Sequence, residues 1–279
     1  MKGACVIGWP IGHSRSPLVH NYWMKKYGID AVYEIQPVEA HKVVEFVSSL
    51  PTSKFIGCNV TIPHKETVFE AVGVVDQTAR RLGAVNTVYL RDNKICGTNT
   101  DGEGFIASLS HSYPSFRLEN KTAIIIGAGG AAKAIIGALL DGGVERIGII
   151  NRTRTRTQNL QKQFGSRLFE VNTSIADHEL KNCELLINAT SQGMEGQPPL
   201  ELNLKNLNSN TLIADIVYTP LETAFLKRAK DRGNPTLAGL GMLLHQAVRG
   251  FELWFGVKPE VTPELYELVA ADVQKAHKQ

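Results

Sequence analysis

The segment Thr122–Ile126 is short, β-branched and apolar, and it runs straight into Gly127-Ala128-Gly129-Gly130-Ala131-Ala132. A run of this kind reads as a strand buried on both faces. Ala131–Leu140 reads as a helix, ended by Asp141-Gly142-Gly143. Strand, glycine turn and helix in that order open a parallel α/β unit, and few other folds accept the sequence. Further strands follow at Ile147–Ile150, Leu185–Ala189 and Thr211–Ile216. A helix over Leu221–Lys230 is stopped by Asp231-Arg232-Gly233.

The glycines also carry chemistry. Gly127 permits the tight turn, Gly129 lets the backbone approach a pyrophosphate, and Ala132 allows close helix–sheet contact. Free amides at the start of Ala131–Leu140 would face the phosphates. A glycine turn with no ligand is the alternative. The next strand ends in Asn151-Arg152-Thr153-Arg154-Thr155-Arg156, which holds three arginines and no acid. An NAD site usually places an acid there to bind the ribose. Guanidinium groups match a 2′-phosphate instead, so NADP is the expected cofactor. A basic, solvated loop is the other reading of that run.

Residues 1 to about 102 alternate short β runs with amphipathic segments. Strands are expected at Ala4–Ile7, Val32–Ile35 and Phe55–Val60, helices at Pro17–Tyr27, Val38–Leu50 and Val74–Arg81. A hairpin joins Val85–Leu90 to Lys94–Cys96 through Arg91-Asp92-Asn93. Strands alternating with helices imply a mostly parallel sheet covered on both faces. His111–Asn120 reads as the link to the second domain. A helix over Gly239–Trp254 is followed by one opened by Thr262 as N-cap and Pro263 at its first position.

Polar residues stand isolated among apolar ones in this first half. In an extended chain Asn59 and Thr61 point to one side, with Lys65 just beyond the strand end, where open α/β sheets bind ligands. Asn86 and Asp101 lie near other strand ends, and Ser14 and Ser16 precede a helix. Each has a duller reading: the serines as helix caps, Asn86 as a turn residue, Asp101 as the cap of the helix that follows.

Composition removes other classes. The chain has 279 residues, with 30 Lys and Arg against 27 acids, a net charge of +3. That surplus is too small to suggest a nucleic-acid surface. No run of eighteen apolar residues suggests a membrane span, and no signal-peptide pattern follows Met1, so a cytoplasmic protein is expected. Cys5, Cys58, Cys96 and Cys183 have no CxxC spacing and read as buried free thiols. No metal is expected.

The motifs together resemble the shikimate dehydrogenase family nearly end to end. They include Ile11-Gly12-His13-Ser14-Arg15-Ser16-Pro17, Asn59-Val60-Thr61-Ile62-Pro63-His64-Lys65, Gly83-Ala84-Val85-Asn86-Thr87 and Asn99-Thr100-Asp101-Gly102. Asn188-Ala189-Thr190-Ser191, Asp215-Ile216-Val217-Tyr218-Thr219-Pro220 and Gly239-Leu240-Gly241-Met242-Leu243-Leu244-His245-Gln246-Ala247 extend the match. The resemblance implies two α/β domains: a discontinuous substrate-binding, catalytic domain (1–102 and 238–279) with a mostly parallel sheet, and a Rossmann-like NADP-binding domain (103–237). It implies an active site in the cleft between them.

It also implies the reversible reduction of 3-dehydroshikimate to shikimate by NADPH, in a monomer or homodimer with no nucleic-acid or membrane partner. Lys65 and Asp101 would be the catalytic pair, both touching substrate. Ser14 and Ser16 would hold the substrate carboxylate, with Tyr218 nearby. Asn59, Thr61, Asn86 and Gln246 would meet its hydroxyls. Gly127, Ala128, Gly129, Gly130 and Ala131 would cradle the phosphates, and Asn151, Arg152, Thr153 and Arg156 the adenosine phosphate. Thr190, Ile216, Gly239 and Met242 would complete the cofactor site. His13 and His64 read as structural. An enzyme for quinate or another hydroxy acid, and an idle NADP-binding regulatory protein, are the competing readings. The second predicts loss of Lys65 or Asp101, and both are present.

Overall fold

The computed structural model describes residues 2–12, 14–172 and 176–276; His13 lies outside them. The strands are β1 (Gly3–Gly8), β2 (Tyr33–Pro37), β3 (Phe55–Val60), β4 (Val74–Val75), β5 (Thr87–Arg91), β6 (Lys94–Thr98), β7 (Thr122–Ile126), β8 (Arg146–Ile150), β9 (Leu168–Glu170), β10 (Leu185–Asn188), β11 (Leu212–Asp215) and β12 (Thr236–Leu237). The helices are α1 (Ser16–Tyr27), α2 (Val43–Ser49), α3 (Lys65–Ala71), α4 (Gln77–Leu82), α5 (Asp101–Ser112), α6 (Gly130–Asp141), α7 (Arg154–Phe164), α8 (Ala176–Asn182), α9 (Ala224–Asp231), α10 (Gly239–Phe255) and α11 (Pro263–Ala276).

Two compact units form, Met1–Gly104 with Leu244–Val269, and Phe105–Leu243 with Ala270–Gln279. The chain passes from the first to the second inside α5, upstream of the 111–120 segment that reads as a link.

The first unit has a six-stranded sheet in the order β2-β1-β3-β5-β6-β4. Only β5 runs against the others, because the β5–β6 hairpin returns through Asp92 and Asn93, both at positive φ (49° and 59°). That is the type I′ geometry a two-residue hairpin prefers. One face packs Ile7, Val60 and Val88 against Val43, Val47 and Val68. On the other, Gly57 is obligatory: a Cβ there would lie 2.2 Å from the Trp254 indole nitrogen. That nitrogen donates to the Val88 carbonyl at 2.9 Å, which pins α10 to the sheet.

The second unit is wholly parallel, in the order β12-β11-β10-β7-β8-β9. Counted from its own first strand this is the doubly wound 3-2-1-4-5-6 order, with its switch point between β7 and β10. Alternation sends Ile125, Ile147 and Ile187 to the face covered by Ile135, Ile136 and Leu139 of α6. Ile124, Leu186 and Ile213 face Phe225, Leu226 and Ala229 of α9. Each fully buried aliphatic side chain of this size contributes roughly 1.5–3 kcal/mol. All four cysteines are buried and free, and burial pushes the Cys183 thiol up to about 12.

Candidate active site

In the first unit, the carboxyl ends of β3 and β6 and the starts of β5 and α5 meet at one end of the strands and bring their polar residues together. Lys65, the first residue of α3, pairs its ammonium with Asp101 Oδ2. Asp101 Oδ1 accepts from Asn86 Nδ2 at 2.8 Å. Asn86 is oriented in turn, because its Oδ1 accepts from the Thr100 backbone amide at 2.9 Å and from the Thr87 hydroxyl at 2.9 Å. Asn59 Nδ2 donates to Thr87 Oγ1 at 3.2 Å. The Thr100 hydroxyl donates to the Gln246 carbonyl at 2.9 Å, which joins α10 to the group.

Asn59, Asn86 and Asp101 are buried, and Thr61 and Gln246 are half-buried. A carboxylate met by an ammonium on one oxygen and an amide on the other is fixed in direction. Asp101 is the first helical residue of α5, and its two carboxylate oxygens meet Lys65 and Asn86, which is the pairing reading. His64 lies close by and is tied elsewhere, with ring Nε2 2.6 Å from the Val38 carbonyl oxygen.

Ser14 and Ser16 lie where α1 begins. The helix starts at Ser16, one residue before the expected Pro17, and its N-cap position, Arg15, makes no side-chain cap. Ser14 Oγ accepts from the Ser16 amide at 3.3 Å. Capping therefore accounts for only part of this serine pair.

In the second unit the carboxyl ends of β7, β8, β10 and β11 carry the expected cofactor residues. Gly127 has φ +113°, and a Cβ on it would lie 2.9 Å from Thr190 Cγ2 and 3.0 Å from the Ala189 carbonyl. Only glycine fits there. Its amide donates to Ile150 O at 2.8 Å, which locks the turn to the end of β8. At Gly129 and Gly130 a Cβ would meet nothing within 4 Å, and the N-cap Gly129 has no side chain to satisfy the first amides of α6, which have no intrahelical partner. Ala132 is fully buried. Gly239 stacks on Ile216: a Cβ would lie 2.3 Å from the Ile216 carbonyl oxygen. Met242 packs beside the unit's core. Tyr218 follows β11 and is half-buried.

The arginines divide. Asn151 Nδ2 donates to Thr153 O at 2.8 Å and shapes the loop. α7 begins at Arg154, so Arg154 and Arg156 stand on a helix, while Arg152 precedes it. Arg154 is engaged by Glu170, Nε to Oε2 at 3.1 Å. Arg152 and Arg156 are exposed, with no ion pair among the described residues. A glycine cradle with free helix amides, followed one strand later by two uncommitted guanidinium groups, fits a dinucleotide bearing an extra phosphate. Among the described residues no group of three or more His, Cys, Asp or Glu could hold a metal ion.

Three family models match the chain: the shikimate dehydrogenase substrate binding domain over residues 6–88, shikimate / quinate 5-dehydrogenase over 109–217, and the shikimate 5′-dehydrogenase C-terminal domain over 239–263. The shikimate dehydrogenase (NADP(+)) of Afipia carboxidovorans is 47% identical over 270 residues, 97% of each chain. The chain belongs to the shikimate dehydrogenase family. Among solved structures, the Thermus thermophilus shikimate 5-dehydrogenase in complex with NADP(H) and shikimate superposes with a TM-score of 0.87 at 32% identity, covering 98% of this chain and all of that one. The quinate dehydrogenase of Corynebacterium glutamicum in complex with NAD gives the same TM-score at 27% identity, over 97% and 99% of the two chains. The fold of a shikimate dehydrogenase thus also serves a quinate enzyme, and side chains must decide between them.

Several residues of this shikimate dehydrogenase chain have no role that local pattern suggests. Asp215 accepts from Asn188 Nδ2 and the Val217 amide at 3.0 Å each, and from the Thr223 hydroxyl at 2.7 Å. Asn188 Oδ1 accepts from the Thr190 hydroxyl at 2.7 Å. The knot joins the loops after β10 and β11, which carry Thr190, Ile216 and Tyr218. Its only trace in the sequence is a polar residue closing each of two apolar strands. Tyr33, Thr87 and Thr100 were likewise silent.

Proposed function

We propose that the chain is an NADP-dependent shikimate dehydrogenase, reversibly reducing 3-dehydroshikimate to shikimate on the route to chorismate and the aromatic amino acids. The observation that carries the reading is the part-buried Lys65–Asp101 pair with Asn86 on the second carboxylate oxygen, in a chain of this family. NADPH, when bound, supplies the hydride.

The residues have one proton and one developing charge to manage. Reduction puts negative charge on the substrate carbonyl oxygen. The Lys65 ammonium stabilises that charge and donates the proton to the same oxygen. Asp101 orients the ammonium and accepts from a substrate hydroxyl, while Asn86 keeps Asp101 from turning. Asn59, Thr61 and Gln246 bind the remaining hydroxyls, and Ser14 and Ser16 bind the carboxylate beside the start of α1, with Tyr218 contributing. Gly127, Ala128, Gly129, Gly130 and Ala131 hold the pyrophosphate. Asn151, Arg152, Thr153 and Arg156 hold the adenosine phosphate. Thr190, Ile216, Gly239 and Met242 complete the cofactor site.

The enzyme works as a monomer or homodimer in the cytoplasm, with a small molecule as its partner and without metal, nucleic acid or membrane. No described helix is long and apolar enough to cross a membrane. A residues 1–102 and 238–279 substrate domain with a 103–237 cofactor domain is the division this reading uses.

The test is an assay of NADPH or NADH absorbance that crosses shikimate and quinate with NADP and NAD. Turnover is expected with shikimate and NADP. Comparable rates with quinate would move the chain to the quinate reading, and comparable rates with NAD would remove the role of the arginines.

A further inference from the structure

Tyr33 opens β2 and is 2% exposed, held from three directions. Its backbone is clamped by Asn21 of α1, which accepts from the Tyr33 amide at 2.9 Å and donates to the Tyr33 carbonyl at 3.0 Å. Its ring stacks on His20, centroids 4.2 Å apart at 12°, and meets Trp254 at 5.9 Å. Burial lowers the His20 pKa to about 3, against a smaller opposing effect of Asn59, so the stacked plate is neutral. Burial also pushes the Tyr33 phenol well above its ordinary range, with Cys5 and Cys58 adding to the effect. The hydroxyl therefore keeps its proton at every working pH.

That proton has one main destination. The hydroxyl donates to Asn59 Oδ1 at 2.6 Å. Asn59 cannot be turned over, because its Nδ2 faces the Asn86 backbone carbonyl at 3.4 Å, and a carbonyl only accepts. The hydrogen bonds then run one way: Tyr33 to Asn59, Asn59 to Thr87, Thr87 to Asn86, Asn86 to Asp101. The carboxylate at the end is the one paired with Lys65. Asn86 has a second support in the Thr100 amide. Among the described residues Asn59 Oδ1 has no backbone donor of that kind, so the Tyr33 hydroxyl is its anchor.

We propose that Tyr33 is a positioning residue for this reaction, heading a one-way hydrogen-bond chain that fixes Asn59 and ends on the Asp101 carboxylate. The inference rests on the dehydrogenase reading given above. Aligned hydrogen bonds polarise one another, and a buried amide oxygen that loses its donor carries a desolvation cost.

The experiment uses the full chain with Tyr33→Phe, which keeps the ring and its stacking and removes one hydroxyl. The expected result is a fall of about tenfold in kcat/KM for shikimate, the size of one buried hydrogen bond, carried mostly by KM. The Kd for NADPH should not change. In an Asn59→Ala background the same substitution should have almost no further effect, because the two residues act as a unit. Wild-type kcat/KM in Tyr33→Phe, or an undiminished loss in the Asn59→Ala background, overturns the proposal. Should Tyr33→Phe fail to fold, Thr87→Val and Thr87→Ser decide. Valine cuts the chain and serine keeps its hydroxyl, so equal activities of the two also overturn it. A wild-type chain that binds NADPH but does not oxidise shikimate overturns the dehydrogenase reading itself, and this role falls with it.

Discussion

Asp101 in the first unit and Asp215 in the second are 7% and 2% exposed, and each receives several hydrogen bonds, yet their surroundings differ in one respect. Asp101 has a cation, Lys65. Asp215 has only neutral donors, from Asn188, Val217 and Thr223. Burial raises its pKa from 3.8 to about 6, against the opposing pull of those three hydrogen bonds. Hydrogen bonds alone thus fail to offset desolvation at this depth. Where the proposed proton transfer takes place, the acid has a counter-charge beside it. Where two loops must only be tied, the protein tolerates an acid that neutralises easily.

The largest effect should come from removing the counter-charge. Lys65→Ala should lower kcat by about 10²–10⁴, the range for a lost general acid or base, with a modest change in KM, and Lys65→Met should behave alike. The Kd for NADPH, measured by fluorescence titration, should stay the same, since the glycine cradle and the arginines are untouched. A variant that keeps more than about a third of kcat would remove Lys65 from the chemistry and leave the two carboxylates with no functional difference.

Asp215→Asn tests the other half of the contrast. The unfolded acid ionises near 3.8 and the native one near 6. Its contribution therefore favours the native state below 3.8 and is lost as pH rises through 6, a swing of about 3 kcal/mol. The asparagine variant lacks that swing. Its Tm relative to wild type should rise by several degrees between pH 4 and pH 7, whatever constant offset the altered hydrogen bonds add. A difference that is flat across this range would mean that Asp215 ionises like an ordinary carboxylate.

The two networks were also unequally visible beforehand. Thr122–Ile126 and Phe55–Val60 match their strands residue for residue, because both are inner strands of their sheets and mostly apolar, with Asn59 the polar exception in the second. Val74–Arg81 reads as one helix and is not. Val74 and Val75 pair with Cys96 and Gly97 as a short strand, and α4 starts only after Asp76, whose side chain accepts from the Ala79 amide at 2.8 Å. The strand depends on a partner twenty-two residues away, which no local period reveals. α3, α7, α8, β9 and β12 were missed for related reasons: they are short, and α7 is too polar to show an apolar stripe. Lys65, Asn86 and Asp101 stand out singly as polar residues at strand ends, but the places of Thr87, Thr100 and Tyr33 beside the polar group depend mainly on contacts between distant segments.

The smallest effects concern the exposed cations, and they separate a bound charge from a nearby one. Arg152→Ala should weaken NADPH at least about tenfold and barely touch NADH, since a charge-assisted hydrogen bond is worth about 1.5–3 kcal/mol. Arg156 stands on the first turn of α7, exposed, with its backbone amide on Thr153 O at 3.1 Å. A helix N-terminus already favours a phosphate, so its guanidinium adds a solvated, screened attraction. Arg156→Ala should therefore cost only a few fold (about 2–5), in keeping with exposed charges, and the cost should shrink in high salt. Arg154 supplies the control: it is committed to Glu170, so Arg154→Ala should change NADPH affinity less than Arg156→Ala does. The measurement is Kd for both cofactors with each variant at two salt concentrations. Equal losses for NADPH and NADH in Arg152→Ala would mean that the residue supports the adenine or the loop. The preference for the phosphorylated cofactor would then have to come from the α6 and α7 amides alone.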